Sequence, residues 1–189
     1  MAEQLIKHIE RFITLTEEQK VEIPKYFTCK ETGKKESLIT QGAKCTHHFF
    51  VIEGCLRMFF INGRGVEKTT QFALENWWIT DYASFENSTI TDFTIQAVER
   101  SIILQIDHCS QAELLSAHPQ LERYFRTIFQ RAYAASQIRM KYINEFSREE
   151  FYLHFSRNFP VFVERIPQNL LASFLNMTPE YLSEIKKSL

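Results

Sequence analysis

The spacing of apolar residues changes character along the chain. In LIKHIERFI, Leu5, Ile6, Ile9 and Ile13 fall on one helical face, and Thr16-Glu17-Glu18-Gln19 has the capping-box spacing that opens a second short helix. Pro24 ends or bends that helix. From Tyr26 to about Ile106 the chain runs in short stretches of Phe, Val, Ile and Thr separated by Gly33, Gly42, Gly54, Gly63 and Gly65, which predicts antiparallel strands at hairpin spacing that close as a roll. HHFFVIEGCLRMFF predicts a hairpin turning at Glu53-Gly54. LRMFFINGRGVEKTTQF predicts another at Asn62-Gly63, where glycine tolerates the positive φ of a tight turn. The glycine-free ENWWITDYASFENSTITDF breaks this rhythm and predicts a short helix or a long loop.

After Asp107 the period is helical. Leu114 and Leu115 precede Pro119, and Leu121, Phe125, Ile128, Ala132 and Ala135 then follow the alternating four-and-three step of a helix-pairing seam. Two readings of this row stand open: a dimer seam, or an amphipathic helix lying on its own domain. Ser147-Arg148-Glu149-Glu150 is another capping box, opening a helix that runs to Pro160. RIPQNLLASFLNMTPEYLSEIKKSL then reads as helix, tight turn, helix. Pro167 suits the first turn of one helix, and Thr178-Pro179 suits the cap and first position of the next. Leu170, Leu171 and Ala172 bury the first helix, Leu175 and Met177 fill the turn, and Leu182 and Ile185 bury the second. A small Ala172 ahead of Met177 lets the pair cross closely. An ordinary helical hairpin and a DNA-binding helix-turn-helix share this local pattern.

Composition narrows the picture. With 44% hydrophobic residues and 17 Phe among 189, core material is ample. A net charge of -1 means that a nucleic-acid partner has to be held by a local patch. Cys29, Cys45, Cys55 and Cys109 are scattered without CxxC spacing, the N-terminus carries charges where a signal peptide needs an apolar run, and no stretch approaches the ~20 apolar residues of a membrane span. The expectation is a reduced, cytoplasmic protein without a membrane role.

The order of parts, with the LTEEQ helix, the FFVIEG strand, the QAVE strand, the helix from about Pro119 and LLASFLNMTPEYLSEIKK, resembles the Crp/Fnr family of cyclic-nucleotide-type transcription regulators over nearly the whole chain. The resemblance implies an α+β fold: an antiparallel β-roll (a double-stranded β-helix, cyclic-nucleotide-binding-like) with flanking helices, a long dimerisation helix and a small helix-turn-helix domain. The implied domains are a sensor at 1–118, the dimerisation helix at 119–146 and a DNA-binding domain at 147–189 without an evident wing. Homodimers reading a palindromic operator, with a small-molecule effector in the roll, follow from the same resemblance.

The chain departs from the family in two places. Where the family's pocket carries Phe-Gly-Glu-Leu, this chain reads Ile79-Thr80-Asp81-Tyr82, so Thr80 replaces the glycine and Asp81 the longer ribose-binding Glu; the phosphate-pairing Arg position falls at Thr91. A buried cyclic phosphate without a compensating cation is unfavourable, so no cofactor, cyclic AMP included, is expected; Thr80, Asp81, Tyr82 and Thr91 line whatever pocket the sensor keeps. Trp77, Trp78, Tyr82 and Phe85 either line a pocket for another ligand or pack the roll. In the recognition helix, two positions where the family often uses Arg are Pro179 and Glu184. Thr178, Glu180, Tyr181, Ser183, Lys186 and Lys187 are the candidate DNA contacts. Basic and acidic residues balance from Glu164 to Leu189, so affinity should be modest; Arg123, Arg126, Arg131, Arg139, Lys141 and Arg148 either face phosphate or solvate the long helix.

Rival chemistries find less support. Gly42, His47, His48 and Glu53 resemble part of a cupin metal motif, but the next histidine would fall at Phe50 and none follows before His108, so a metal enzyme lacks a ligand. The four cysteines do not cluster for an iron-sulfur centre, whereas a single axial haem ligand could come from any His or Cys. A dimer of the same fold that has lost DNA binding is the remaining alternative.

Overall fold

Leu5, Ile6, His8 and Ile9 form the buried face of α1 (Ala2–Glu10). The computed structural model describes residues 1–188, so Leu189, the last residue of the expected 147–189 domain, lies outside the described residues. The first capping box is formed: Thr16 Oγ1 accepts from Gln19 N and the Gln19 side chain accepts from Thr16 N at the start of α2 (Glu17–Glu22), and Pro24 then sits in the first turn of a 3-10 segment, Ile23–Tyr26.

Eight strands follow: β1 (Thr28–Thr32), β2 (Ser37–Ile39), β3 (His47–Glu53), β4 (Leu56–Ile61), β5 (Glu67–Ala73), β6 (Trp78–Ile79), β7 (Thr94–Ala97) and β8 (Ser101–Asp107). They form two four-stranded sheets, ordered β1-β8-β3-β6 and β2-β7-β4-β5. The fold is α+β, an antiparallel roll with flanking helices.

The expected hairpin at Glu53-Gly54 is not one. β3 pairs with β8 and β6, while β4 pairs with β7, so the chain at Gly54 crosses from one sheet to the other. Gly54 takes φ +101 and lies hard against Ser101, which lets the strand turn out of its sheet instead of folding back. At the second turn β4 and β5 are neighbours as expected, but the positive φ belongs to Gly65 (φ +74) and not to Gly63. Asn62 organises this loop, its Oδ1 accepting from the backbone N–H of Arg64 and Val66.

The continuous run Phe49-Phe50-Val51-Ile52 is explained by burial on both faces of β3. Phe49 and Val51 enter the roll with Ile39, Leu56, Ile79, Ile95 and Ile103. Phe50 and Ile52 face the opposite way, onto Leu5, Ile9, Trp78, Leu104, Leu114, Leu121 and Tyr124. The glycine-free segment holds both β6 and a short helix, α3 (Tyr82–Glu86), capped by Asp81.

Asp107 caps α4 (His108–Ala117), and the long helix α5 spans Leu121–Glu145. Ser147 forms the second capping box at α6 (Arg148–Asn158); α7 (Pro160–Arg165), begun by Pro160, was not separately legible in the pattern. α8 (Gln168–Phe174) and α9 (Pro179–Ser188) complete the chain, with Pro167 at the cap of α8, one place earlier than the first-turn position expected.

Two compact units partition differently from the expected boundaries. The first comprises Met1–Phe60 with Gln71–Gln130, the second Ile61–Thr70 with Arg131 onward. The core of the second is built by Phe151, Tyr152, Phe155, Phe162, Ile166, Leu171, Leu175, Met177, Leu182 and Ile185. No described helix is long and apolar enough to cross a membrane.

Candidate functional site

In the roll, Thr80, Asp81 and Thr91 lie close to one another. Asp81 Oδ2 accepts from Thr91 Oγ1 at 2.7 Å and Asp81 Oδ1 accepts from Ser84 N at 3.4 Å, so the carboxylate caps α3 and tethers the loop before β7. Thr80 Oγ1 donates to His47 O at 2.9 Å and lies 3.3 Å from Cys45 Sγ, whose thiol burial pushes up. Thr80 and Thr91 are both buried. The cluster satisfies itself and presents a carboxylate.

Tyr82 does not join it. Its ring turns to the other side, 5.4 Å from His48 and 4.4 Å from Phe129. His48 is fully buried on β3, with Trp78, Phe85 and Phe125 also around it. Gln111 Oε1 can only accept, so His48 Nδ1 is the protonated nitrogen of their 3.2 Å bond. Of the aromatic insert, Trp78 and Phe85 pack inward and Trp77 is exposed.

Burial pushes the His48 pKa down to about 3, from an ordinary value of 6.5. The unfolded chain therefore binds a proton that the folded chain refuses, and the stability from neutral His48 is complete above pH 6.5 and is lost as pH falls toward 3. Between pH 7 and pH 5 this group alone should remove about 2 kcal/mol, and His48→Phe should flatten that part of a urea-unfolding pH profile.

Sequence reasoning missed two polar residues here. Arg57 on β4 is buried, its Nε and Nη2 donating to Gln96 Oε1 at 3.1 and 2.7 Å, and its guanidinium lies 3.9 Å from the Phe59 ring centroid. His8 lay inside an apolar helical pattern that gave no sign of its partner, the Tyr124 hydroxyl. Among the described residues no group of three or more His, Cys, Asp or Glu is placed to hold a metal. None of the four cysteines forms a disulfide among the described residues.

In the second unit, α8 and α9 meet through a tight turn in which Asn176 adopts φ +58 and Met177 N donates to Ala172 O at 2.9 Å. Thr178 Oγ1 accepts from Tyr181 N and so caps α9. Leu182 and Ile185 are buried; the i, i+4, i+7 positions Glu180, Glu184 and Lys187 share the exposed face, and Tyr181 is also exposed. Ser183 is half-buried. Exposed Lys186 sits on a flank, its ammonium 6.0 Å from the Tyr152 ring. Of the upstream basic residues, Arg139 turns inward: Nη2 donates to Phe174 O at 2.6 Å, at the carboxyl end of α8, and the guanidinium lies 4.4 Å from the Phe174 ring centroid. Arg123, Arg126, Arg131, Lys141 and Arg148 are exposed.

Along α5 the exposed apolar row is not the one the sequence suggested. Leu121 and Phe125 are buried in the core beside the roll and Ile128 packs against it; Ala132 is half-buried and Ala135 exposed. Phe129, Tyr133 and Met140 are exposed and share one helical face.

Residues 29–118 match the cyclic nucleotide-binding domain family, from β1 to the end of α4. The solved structures with this architecture include CLP, the c-di-GMP responsive global regulator of Xanthomonas campestris (TM-score 0.72, 13% identity, 89% of each chain covered), and FixK2 of Bradyrhizobium japonicum (TM-score 0.70, 14% identity, 86% of this chain and 84% of that one). The chain shares the fold of these proteins. The catabolite activator protein of Thermus thermophilus matches over 96% of this chain and 86% of its own at 15% identity, with TM-score 0.60. No curated protein matches by sequence.

Proposed function

We propose that the protein is a homodimeric, cytoplasmic, Crp/Fnr-type DNA-binding transcription regulator, not an enzyme, whose sensor takes an effector other than cyclic AMP. The observation that carries the DNA-binding reading is the α8–turn–α9 pair: Ala172 and Met177 hold the helices close, Asn176 makes the turn, and the capped end of α9 is exposed as a recognition helix needs. Glu180 has the chemistry to accept from a cytosine amine, and Thr178, Tyr181, Ser183 and Lys187 are the other candidate contacts. The exposed row Phe129, Tyr133 and Met140 supports pairing with a second copy of α5, which would space two recognition helices for a palindromic site.

Asp81 argues against cyclic AMP. It stands at the ribose-contacting place of the family, already bonded to Thr91, where the family's pocket holds an arginine. An incoming phosphate 4 Å from this carboxylate would be repelled by about 4 kcal/mol at an effective dielectric of 20.

The test is retention of pooled duplex DNA over a salt series, followed by sequencing. Selective, salt-sensitive retention of a two-fold site is the expected result. Lys187→Ala should reduce the slope of log affinity against log salt by about 1, and Lys186→Ala by less because that side chain leans toward Tyr152. The two acids beside Lys187 on the outward face favour a second reading, an interaction module without DNA binding, which uniform weak retention at all salts would select.

A further inference from the structure

Two buried polar atoms in the sensor, His48 Nε2 and Tyr82 Oη, have no hydrogen-bond partner among the described residues, and their rings adjoin each other. Since Nδ1 spends its proton on Gln111, Nε2 carries a lone pair that needs a donor. Around it stand Trp78, Phe85 and Phe125, with ring centroids 4.3, 5.8 and 6.0 Å from that of His48. Phe129 also stands against both rings, stacked on His48 at 6.4 Å and edge-on to Tyr82 at 4.4 Å, yet it is 37% exposed. Phe129 is thus a partly exposed ring beside two rings that each carry an unsatisfied polar atom, and its own side chain offers neither of them a hydrogen bond.

We propose that this cage binds a small neutral phenol, whose ring takes the place of the Phe129 ring and whose hydroxyl donates to His48 Nε2 while accepting from Tyr82 Oη. A phenol matches both orphaned atoms at once; benzene matches neither and an indole N–H only the first. The site favours neutral ligands over ionised ones, because the contacts of the imidazole among the described residues are aromatic rings and Gln111. The site is separate from the Thr80–Asp81–Thr91 cluster. It supplies an effector class for the sensor and stands whether or not α9 reads DNA. Displacing Phe129 would also alter the exposed row of α5, which is how the ligand would act if that row pairs.

The test uses the full chain and no DNA. Phenol and benzene are titrated separately while the ¹⁵N resonances of the His48 ring and the emission of buried Trp78 are followed. Saturable phenol binding about tenfold tighter than benzene is expected, about the effect of one to two net buried hydrogen bonds, with the Nε2 resonance moving in step. Phe129→Ala should tighten both ligands by emptying the ring site, and Tyr82→Phe, which deletes only the hydroxyl, should reduce the preference for phenol. His48→Phe should abolish that preference, checked alongside its melting curve. Equal affinity for phenol and benzene, phenol binding that leaves the His48 resonances unmoved, or no binding to either the wild type or Phe129→Ala would overturn the proposal.

Discussion

Gly54→Ala should lower the stability of the sensor by about 3 kcal/mol, combining left-handed backbone strain with overpacking. A methyl group at Gly54, where φ is +101, would stand 2.6 Å from Ser101 Cβ and 2.8 Å from Ser101 Cα, and Ser101 cannot retreat because it lies in β8 between β1 and the crossover. Its hydroxyl also accepts from Cys55 N at 3.2 Å, so pushing it aside disturbs the first residue after the turn. Gly63→Ala is the matching control: nothing lies within 4 Å of the added carbon and the backbone is not left-handed, so its effect should stay within about 0.5 kcal/mol. Urea unfolding followed by circular dichroism measures both. Equal midpoints for the two variants would mean that the chain does not cross between the sheets at Gly54 as described.

Tyr124→Phe should cost about 3 kcal/mol, since two buried hydrogen bonds disappear and the Trp78 indole N–H is left without its acceptor. The Tyr124 hydroxyl receives Trp78 Nε1 at 2.7 Å and lies 2.8 Å from His8 Nδ1, tying α5 to β6 and to α1 at one fully buried point. Burial raises its own pKa, which keeps the phenol protonated throughout the working range and keeps the network neutral. The ring is retained in the variant, so no cavity of consequence is made and the loss reports the hydroxyl alone. Thermal unfolding read by Trp fluorescence distinguishes the outcomes. A shift of less than about 1 kcal/mol would show that water replaces the hydroxyl and that the network is not sealed.

Both residues show where local pattern stops being informative. A glycine after FFVIE fits a hairpin and a sheet-to-sheet crossover equally well, because both need a turn and only the partners of β3 and β4 tell them apart. Tyr124 stands on an amphipathic helix beside Phe125, and nothing in their spacing separates the residue that bonds Trp78 from those that merely pack. The apolar row from Leu121 to Ala135 has the same limitation. Leu121 and Phe125 satisfy a pairing period but are consumed by the sensor's own core, leaving Phe129, Tyr133 and Met140 exposed.

The sequence alone determined the features whose causes are local: both capping boxes, the strand-rich middle, the long helix, and the tight turn between α8 and α9. Each rests on a side chain acting within a few residues of itself, as Thr16 does on Gln19 and Ser147 on Glu150. The motif order along the chain also carried the resemblance to the Crp/Fnr fold. Only the tertiary structure decided which sheet each strand joins, that Asp81 is held by Thr91, that Tyr82 faces away from them, and that His48 and Tyr82 share one aromatic cage. These facts depend on residues 10 to 81 positions apart in sequence, such as Thr91 with Asp81, His48 with Gln111 and His48 with Phe129. Burial and non-local hydrogen bonding choose such partners by overall packing, a collective property that periodicity along the chain does not encode.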